Sequence, residues 1–201
     1  MHDKSTLRTG RVSKRISSNT YDNLLQVEIG IFKGRAWKSE QIPLLADVID
    51  NIPENKILFV EIKSDSKTVE PLRKLIYQKN LTPNQIKFIG FDINTMKLIK
   101  KSLPEFESYW IIEGKDYKSN SHLNDSIEKC NAAGLNGLDV QEKKYLNYEI
   151  IQTVKKAGLN IYTWTVDDPL RAKQLFEDGI EGVTTNRASW LKSKLTEQKI
   201  I

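Results

Sequence analysis

Glu61 and Lys63 are the two residues whose chemical types and spacing most directly suggest a site. They end a largely apolar run, residues 57–63, and stand two positions apart. Side chains alternate along a β-strand, so Phe59, Glu61 and Lys63 share one face while Ile62 points to the other. Charges at the end of a buried strand are costly unless something neutralises them. The pair is therefore either an interior ion pair or a ligand-binding pair, and spacing alone leaves both open.

A second polar pair with the same spacing, Asp139 and Gln141, ends another apolar stretch. Asp139 could orient a ligand or pair with a cation on a neighbouring strand, and we favour the structural role. Trp164 ends a third stretch, and it could belong to the core or to the wall of a pocket, because large aromatic residues are buried for packing in most proteins.

The elements that must position these residues alternate along the chain. Apolar runs typical of strands alternate with helical patterns of period 3.6, and several helices stop at a glycine, as at Gly134, Gly158 and Gly179. This alternation predicts an α/β fold with a parallel sheet, either open and doubly wound or closed as a barrel. We count six strands, which end near Lys63, Phe91, Ile112, Val140, Val166 and Thr185.

Three features favour a TIM-type (β/α) barrel over the doubly wound sheet. The chain has no glycine-rich dinucleotide loop, nearly every strand has polar residues at its carboxyl end, and two strands place such residues two apart. A barrel of this type needs eight strands. The six strands counted here therefore predict an incomplete barrel.

Local signals predict several helix ends. Thr20 is expected to cap a short helical turn, and Asp168 to cap a helix with Pro169 at its first position. Residues 126–133 are expected to be helical. His122 lies before that segment and is interpreted as a loop residue.

Composition excludes several classes of protein. The chain has 201 residues, 39% of them hydrophobic, and no apolar run long enough to span a membrane. Its net charge of +5 comes from scattered lysines without interleaved aromatics, so nucleic acid is not an expected partner. Cys130 is the only cysteine, which rules out an intramolecular disulfide and a cysteine metal cluster. Residues 1–15 are polar and lack the apolar stretch of a signal peptide, and the cellular compartment stays open.

Several blocks of the sequence resemble one known family when taken together and in order. They are His2-Asp3 with Leu7-Arg8-Thr9, Ile42-Pro43 before a helix, Leu58-Phe59-Val60-Glu61-Ile62-Lys63, Gly134-Leu135 with Gly137-Leu138-Asp139, Tyr162 with Trp164-Thr165-Val166-Asp167-Asp168-Pro169, and Gly182-Val183-Thr184-Thr185-Asn186-Arg187. The blocks run nearly end to end and closely resemble the glycerophosphodiester phosphodiesterase family.

The resemblance implies a fold, an activity and roles for four residues. Proteins of this family are eight-stranded α/β barrels that hydrolyse glycerophosphodiesters, small-molecule substrates, with a divalent metal, here Mg²⁺ or Ca²⁺. By resemblance, His2 is one of two acid/base histidines and Glu61 is a metal ligand. Lys63 is a phosphate contact, and Trp164 lines the wall beside the glycerol or alcohol group.

The sequence also departs from the family pattern at its beginning. Family members normally reach the His-Asp motif only after a strand ending in His-Arg-Gly and a strand bearing Glu-x-Asp, and this sequence begins at that motif. We therefore expect residues 1–201 to be a single domain that lacks the first two strand-helix units. The chain as given is expected to show little turnover, and a chain extended upstream to be active.

Two other functions remain open at this stage. A non-catalytic remnant could hold a phosphate at Lys63 without cutting the ester. A phosphoinositide-type phospholipase relative would use a similar metal position, but the blocks around Glu61 and Trp164 speak against it.

Overall fold

The computed structural model describes residues 1–197, and the chain forms two compact units, Met1–Glu54 and Asn55–Ile201. The second unit contains a sheet of six parallel strands that follow one another in chain order. The strands are β1 (Leu58–Ile62), β2 (Ile86–Gly90), β3 (Glu107–Ile112), β4 (Gly137–Gln141), β5 (Asn160–Trp164) and β6 (Gly182–Thr184). The predicted count of six strands and their parallel arrangement are confirmed.

Helices connect each strand to the next and cover one face of the sheet. The helices of this unit are α4 (Val69–Gln78), α5 (Ile93–Ser102), α6 (Asn120–Ala132), α7 (Tyr148–Lys156), α8 (Pro169–Glu177) and α9 (Ala188–Glu197). The strand residues that face them include Phe88, Leu138, Val140 and Ile161, all fully buried. The apolar core of the unit therefore lies between the sheet and the helices.

The sheet is strongly curled, as contacts between distant strands show. Strands β1 and β5 are four places apart, which in a flat sheet would separate them by about 19 Å. Yet the rings of Phe59 on β1 and Tyr162 on β5 lie 5.4 Å apart, and Lys87 Nζ on β2 donates to the Tyr162 hydroxyl at 3.1 Å. The six strands thus form a curled half-barrel, and we call the face that these side chains share the inner face.

Strand β1 is less buried than its apolar sequence predicts. Phe59 is 40% exposed, and the other residues of the strand are only half-buried. In the described part of the chain β1 pairs with β2 alone, so one of its edges has no strand beside it.

The first unit contains three short α-helices, α1 (Leu7–Gly10), α2 (Tyr21–Leu25) and α3 (Leu45–Asp50), and three single-turn 3-10 helices. Its amino-terminal loop is held by Thr6, which is fully buried. The Thr6 hydroxyl donates to the Val12 carbonyl at 2.5 Å and accepts from the Lys14 backbone N–H at 3.0 Å. These bonds order a segment that chain ends usually leave frayed.

The predicted caps at Thr20 and Asp168 are confirmed, because each side chain accepts a backbone N–H at the start of its helix. The interpretation of His122 was wrong. Helix α6 begins at Asn120 with Ser119 as its cap, so His122 lies in the first helical turn. No helix among residues 1–197 is long and apolar enough to cross a membrane.

Candidate active site

An ion pair lies at the carboxyl end of β1, on the inner face of the half-barrel. Lys63 Nζ donates to Glu61 Oε1 at 2.5 Å, and the two side chains are 40% and 25% exposed. Carboxyl ends of barrel strands are where active sites form in this architecture. The prediction that the two head groups lie together on one face is confirmed.

Asp139, near the middle of β4, brings a second carboxylate to the inner face. It is paired in register with Tyr162 of β5, whose ring contacts Phe59 of β1, so these side chains share a face with Glu61. Asp139 is only 4% exposed, yet its Oδ1 atom has no hydrogen-bond partner in the described structure. The cation on a neighbouring strand that we considered as its partner is therefore not bonded to this oxygen.

Burial controls the ionisation of Asp139. Removal from water, with the nearby negative charge of Glu61, raises the pKa of the Asp139 carboxyl from 3.8 to about 7. Both effects disfavour the charged form. A positive group placed beside Asp139 and Glu61 would relieve both, and a buried oxygen without a partner is the kind of atom that a ligand satisfies.

Trp164 is the last residue of β5 and lies on the same face of that strand as Tyr162, the inner face. Its indole Nε1 donates to the Asp139 carbonyl at 3.2 Å, and its ring meets the Phe91 ring edge to face at 5.9 Å. Trp164 is half-buried and Phe91 is 47% exposed. The indole is therefore fixed by one hydrogen bond and one ring contact while part of it remains accessible.

Gln141 does not repeat the role of Lys63 despite its equivalent spacing. Its side-chain Oε1 accepts from the Gly114 backbone N–H at 3.2 Å, and its carbonyl accepts from the Tyr117 hydroxyl. These bonds turn Gln141 toward the loop after β3, so its function is to hold that loop.

A different cluster fills the inner face near the amino ends of the strands. Lys87 forms an ion pair with Glu107 and donates to the Tyr162 hydroxyl, while the Tyr109 hydroxyl donates to Glu107 Oε2 at 2.7 Å. The Asn160 amide completes the cluster by donating to the Tyr109 oxygen at 3.3 Å. We call these five residues the lower cluster.

Bonding in the lower cluster fixes its charges. Burial alone would lower the pKa of Lys87, but its bonds to Glu107 and Tyr162 outweigh burial and raise it. Burial likewise opposes ionisation of Glu107, whose pKa is nevertheless lowered by Lys87 and Tyr109. Both groups are therefore charged at neutral pH, and each has its partners.

His2 lies in the first unit, where a short chain of hydrogen bonds orients it. Its Nδ1 lies 2.9 Å from Asp3 Oδ1, and Asp3 accepts two bonds from the Arg8 guanidinium, at 2.7 and 3.0 Å. Hydrogen bonds from Arg8 and His2 hold the pKa of Asp3 well below its usual range. The His2 side chain is 79% exposed.

The inner face offers a small number of oxygen ligands for a divalent cation. No group of three or more His, Cys, Asp or Glu side chains within residues 1–197 converges to hold a metal. The inner face does offer the Glu61 carboxylate and the buried, unbonded Asp139 oxygen. Mg²⁺ is often held by only one or two carboxylates, with waters and substrate phosphate oxygens as its remaining ligands. The donors present fit a cation of that kind.

Sequence reasoning missed three residues that support the site. Asp3 and Arg8 stood in the same sequence block as His2, but their bonding to it was not predicted. Phe91 was noted only as a strand end, and its ring contacts Trp164. The signal for Asp3 and Arg8 was their opposite charge next to a histidine, and nothing local indicated the role of Phe91.

Comparison with known proteins identifies the family of this chain. A sequence model of the glycerophosphoryl diester phosphodiesterase family matches residues 1–189 of the chain. The chain belongs to this family. The sequence-based identification of the family is confirmed, and the phosphoinositide-type alternative is set aside.

Curated relatives within the family are distant in sequence but similar over most of the chain. The glycerophosphodiester phosphodiesterase of Caldanaerobacter subterraneus is 24% identical, and the match covers 92% of this chain and 75% of that protein. The glycerophosphodiester phosphodiesterase of Bacillus subtilis is 21% identical, with 92% and 68% covered.

Solved structures show the same fold. A phosphodiesterase from Oleispira antarctica, solved in complex with its product sn-glycerol-3-phosphate, superimposes with a TM-score of 0.86 at 19% identity, covering 98% of this chain and 78% of that one. A glycerophosphodiester phosphodiesterase from Parabacteroides distasonis gives a TM-score of 0.73 at 20% identity, with 99% and 78% covered. The barrel-type fold predicted from sequence is thereby confirmed.

Proposed function

We propose that this protein hydrolyses glycerophosphodiesters with the help of a divalent cation, releasing glycerol 3-phosphate and an alcohol. The family membership supports the reaction class. The observation that carries the proposal to particular residues is the Glu61–Lys63 pair, which lies at the carboxyl end of β1 beside a second, buried carboxylate.

Lys63 is proposed to bind the substrate phosphate. An ammonium group has three donors, and Glu61 Oε1 takes one of them, so two remain for a non-bridging phosphate oxygen. The contact with Glu61 also keeps the long lysine side chain in place before the substrate arrives. The Glu61 carboxylate would hold the cation.

The cation, Mg²⁺ or Ca²⁺, would neutralise charge on the phosphate and orient the attacking oxygen. Trp164 is proposed to line the wall beside the glycerol or alcohol group. Its ring is fixed by the Asp139 carbonyl and by Phe91, so it can exclude water from that side without reorganising.

His2 is proposed to transfer a proton between the reacting oxygen and solvent. Asp3 bonds to Nδ1 and fixes the orientation of the ring, which leaves Nε2 as the nitrogen that exchanges the proton. Arg8 is a positioning residue, since its two bonds keep Asp3 ionised and in place. This arrangement gives His2 a fixed orientation although its side chain is exposed.

The test is release of glycerol 3-phosphate from glycerophosphocholine, measured with Mg²⁺, with Ca²⁺ and with a chelator. It is run on the 201-residue chain and on the same chain preceded by its genomic upstream sequence. Lys63→Met should weaken turnover by about 10-fold or more, because the phosphate loses a charged contact. Lys74→Met is the matched control, since Lys74 also pairs with a glutamate, Glu70, but on the outside of α4.

The non-catalytic alternative predicts a different result. A phosphate-binding remnant would bind glycerol 3-phosphate through Lys63 in a titration but release none from the diester under any metal condition. Turnover that neither chelation nor Lys63→Met reduces would contradict both the metal-assisted hydrolase and the non-catalytic phosphate-binding remnant.

A further inference from the structure

We infer that Asp139 is a second carboxylate ligand of the cation site, facing Glu61 across the inner face, and that it couples cation binding to binding of the phosphate. The inference rests on the proposed function and assigns to it a residue for which sequence reasoning favoured a structural role. Asp139 differs from the other carboxylates of the half-barrel in its burial and in its bonding.

The Asp139 Oδ1 atom is buried without a hydrogen-bond partner in the described structure. Oδ1 belongs to a residue that is only 4% exposed, and in the described part of the chain it accepts no hydrogen bond. A buried acceptor left without a partner costs about 1–3 kcal/mol. A purely structural aspartate would be expected to have found a donor, as Asp178 has in Gln174 at 3.0 Å.

The position of Asp139 relative to Glu61 also suits a cation ligand. Asp139 lies on the inner face with Glu61, since it is paired in register with Tyr162, whose ring contacts Phe59 on the Glu61 face of β1. Lys63 occupies only one oxygen of Glu61. Two carboxylates on the same face, each with an oxygen free of protein donors, repel one another when both are ionised, and a cation between them removes that repulsion.

The charge of the two carboxylates favours a cation over a neutral ligand. A neutral hydroxyl would satisfy Oδ1 but would leave the repulsion between the carboxylates in place. A hard divalent cation satisfies both oxygens and suits a site with two carboxylates, because substrate phosphate oxygens and waters complete its coordination. The cation and the phosphate would then strengthen each other's binding.

The experiment measures that coupling. Glycerol 3-phosphate is titrated into the protein by calorimetry, once with Mg²⁺ and once with a chelator, and the ratio of the two affinities is the coupling factor. We expect Mg²⁺ to raise the affinity of the wild-type protein about 10-fold. In Asp139→Asn the ratio should fall to near 1, while the affinity measured in chelator stays unchanged.

Direct binding of Mn²⁺, followed by electron paramagnetic resonance, gives a readout independent of turnover. Mn²⁺ favours the same oxygen ligands as Mg²⁺. Asp139→Asn and Glu61→Gln should each weaken Mn²⁺ binding, and Asp178→Asn should not. Asp178 is the matched control, since it is buried to a similar degree but its Oδ1 already has a donor.

The outcomes separate this inference from the proposed function. Absence of glycerol 3-phosphate binding to the wild-type protein in both conditions would overturn the proposed function, and the inference with it. Wild-type binding that ignores Mg²⁺, or coupling retained in Asp139→Asn, would overturn the inference alone. Equal weakening in Mg²⁺ and chelator would identify Asp139 as a contact to a substrate hydroxyl. Asp139→Ser, checked for folding by circular dichroism, repeats the test should the asparagine variant misfold.

Discussion

The two ends of the inner face differ in how completely their polar groups are bonded. In the lower cluster, Lys87 and Glu107 bond to each other and to tyrosine hydroxyls. Outside this cluster, Asp139 Oδ1 near the middle of β4 has no bond, and the Glu61–Lys63 pair at the carboxyl end of β1 is partly open to solvent. Fully bonded groups stabilise a fold, whereas groups left without partners are costly and are expected where a ligand binds. We therefore interpret the lower cluster as structural. We interpret the opposite end of the inner face, with Glu61, Lys63 and Asp139, as the place where a ligand binds, and we call it the upper end.

The largest expected effect is on turnover, from Glu61→Gln. The substitution removes the charge that would hold the cation, and we expect glycerol 3-phosphate release to fall about 100-fold or more. Stability should change little, because partly exposed ion pairs contribute about 1 kcal/mol or less. Steady-state assays and urea melts on the same preparation measure both. If Glu61→Gln unfolds at lower urea concentration but keeps its specific activity, the Glu61–Lys63 pair stabilises the fold and does not bind the cation.

The next effect is on the pH dependence of stability at the upper end, measured in chelator. The folded-state pKa of Asp139 is raised to about 7 from 3.8, so the folded state holds a proton that the unfolded state releases between those values. The free energy of unfolding should therefore fall as pH rises from about 4 to about 7, by up to about 4 kcal/mol. The charge that acts on Asp139 from β1 is that of Glu61.

Asp139→Asn is the control for that pH dependence, because asparagine does not titrate. Its stability should lack this decrease, so the difference between variant and wild type should grow in the variant's favour up to about pH 7 and then stay constant. Urea melts at several pH values measure it. A parallel pH dependence in the two proteins would show that Asp139 does not titrate in this range.

A stability effect without an effect on chemistry is expected at the lower end. Lys87→Met leaves Glu107 without its cation, and removing one partner of a buried pair costs about 3–5 kcal/mol. Glu107 is 36% exposed, so we expect the lower part of that range or less, about 2–3 kcal/mol. Thermal melts measure the loss, and kcat of the protein that remains folded should be within about twofold of wild type. A selective loss of kcat would place Lys87 in the reaction.

The sequence predicted the upper end better than the lower one, for a physical reason. Alternation along one strand was sufficient to place Glu61 and Lys63 together. The contact between Lys87 and Tyr162 depends on how strongly three intervening strand pairings curl the sheet, which no local pattern encodes. Whether Asp139 Oδ1 has a hydrogen-bond partner likewise depends on the positions of all the side chains packed around it. It could be recognised only in the folded chain.

The error at His122 has a different origin. Helix α6 begins with three polar residues, and apolar residues of its buried face start only at Leu123, followed by Ile127 and Cys130. The cap at Ser119 was a usable signal, and that spacing of 4 and 3 residues fits a helix. Its weight was underestimated because loops and exposed first turns have the same polar composition.

The smallest expected effect comes from Tyr162→Phe, which removes one bond from the lower cluster and keeps the ring. The Tyr162 hydroxyl accepts from Lys87 at 3.1 Å, while the ring contacts Phe59 and Tyr109, at 5.4 and 5.0 Å. Loss of one hydrogen bond to a charged donor costs about 1.5–3 kcal/mol in general. Here Glu107 still neutralises Lys87, and three rings still surround its ammonium group, so we expect about 1 kcal/mol.

The matched substitution at the upper end of the same strand is Trp164→Phe, which removes the bond from the indole to the Asp139 carbonyl. If the two ends differ as argued, Tyr162→Phe should lower only the melting temperature, whereas Trp164→Phe should raise KM for glycerophosphocholine. The second change loosens the wall beside the substrate, while the first lies below it. Melting curves and initial rates for the two variants, measured together, decide the matter. An unchanged KM in Trp164→Phe would remove Trp164 from the site and leave it as a core residue.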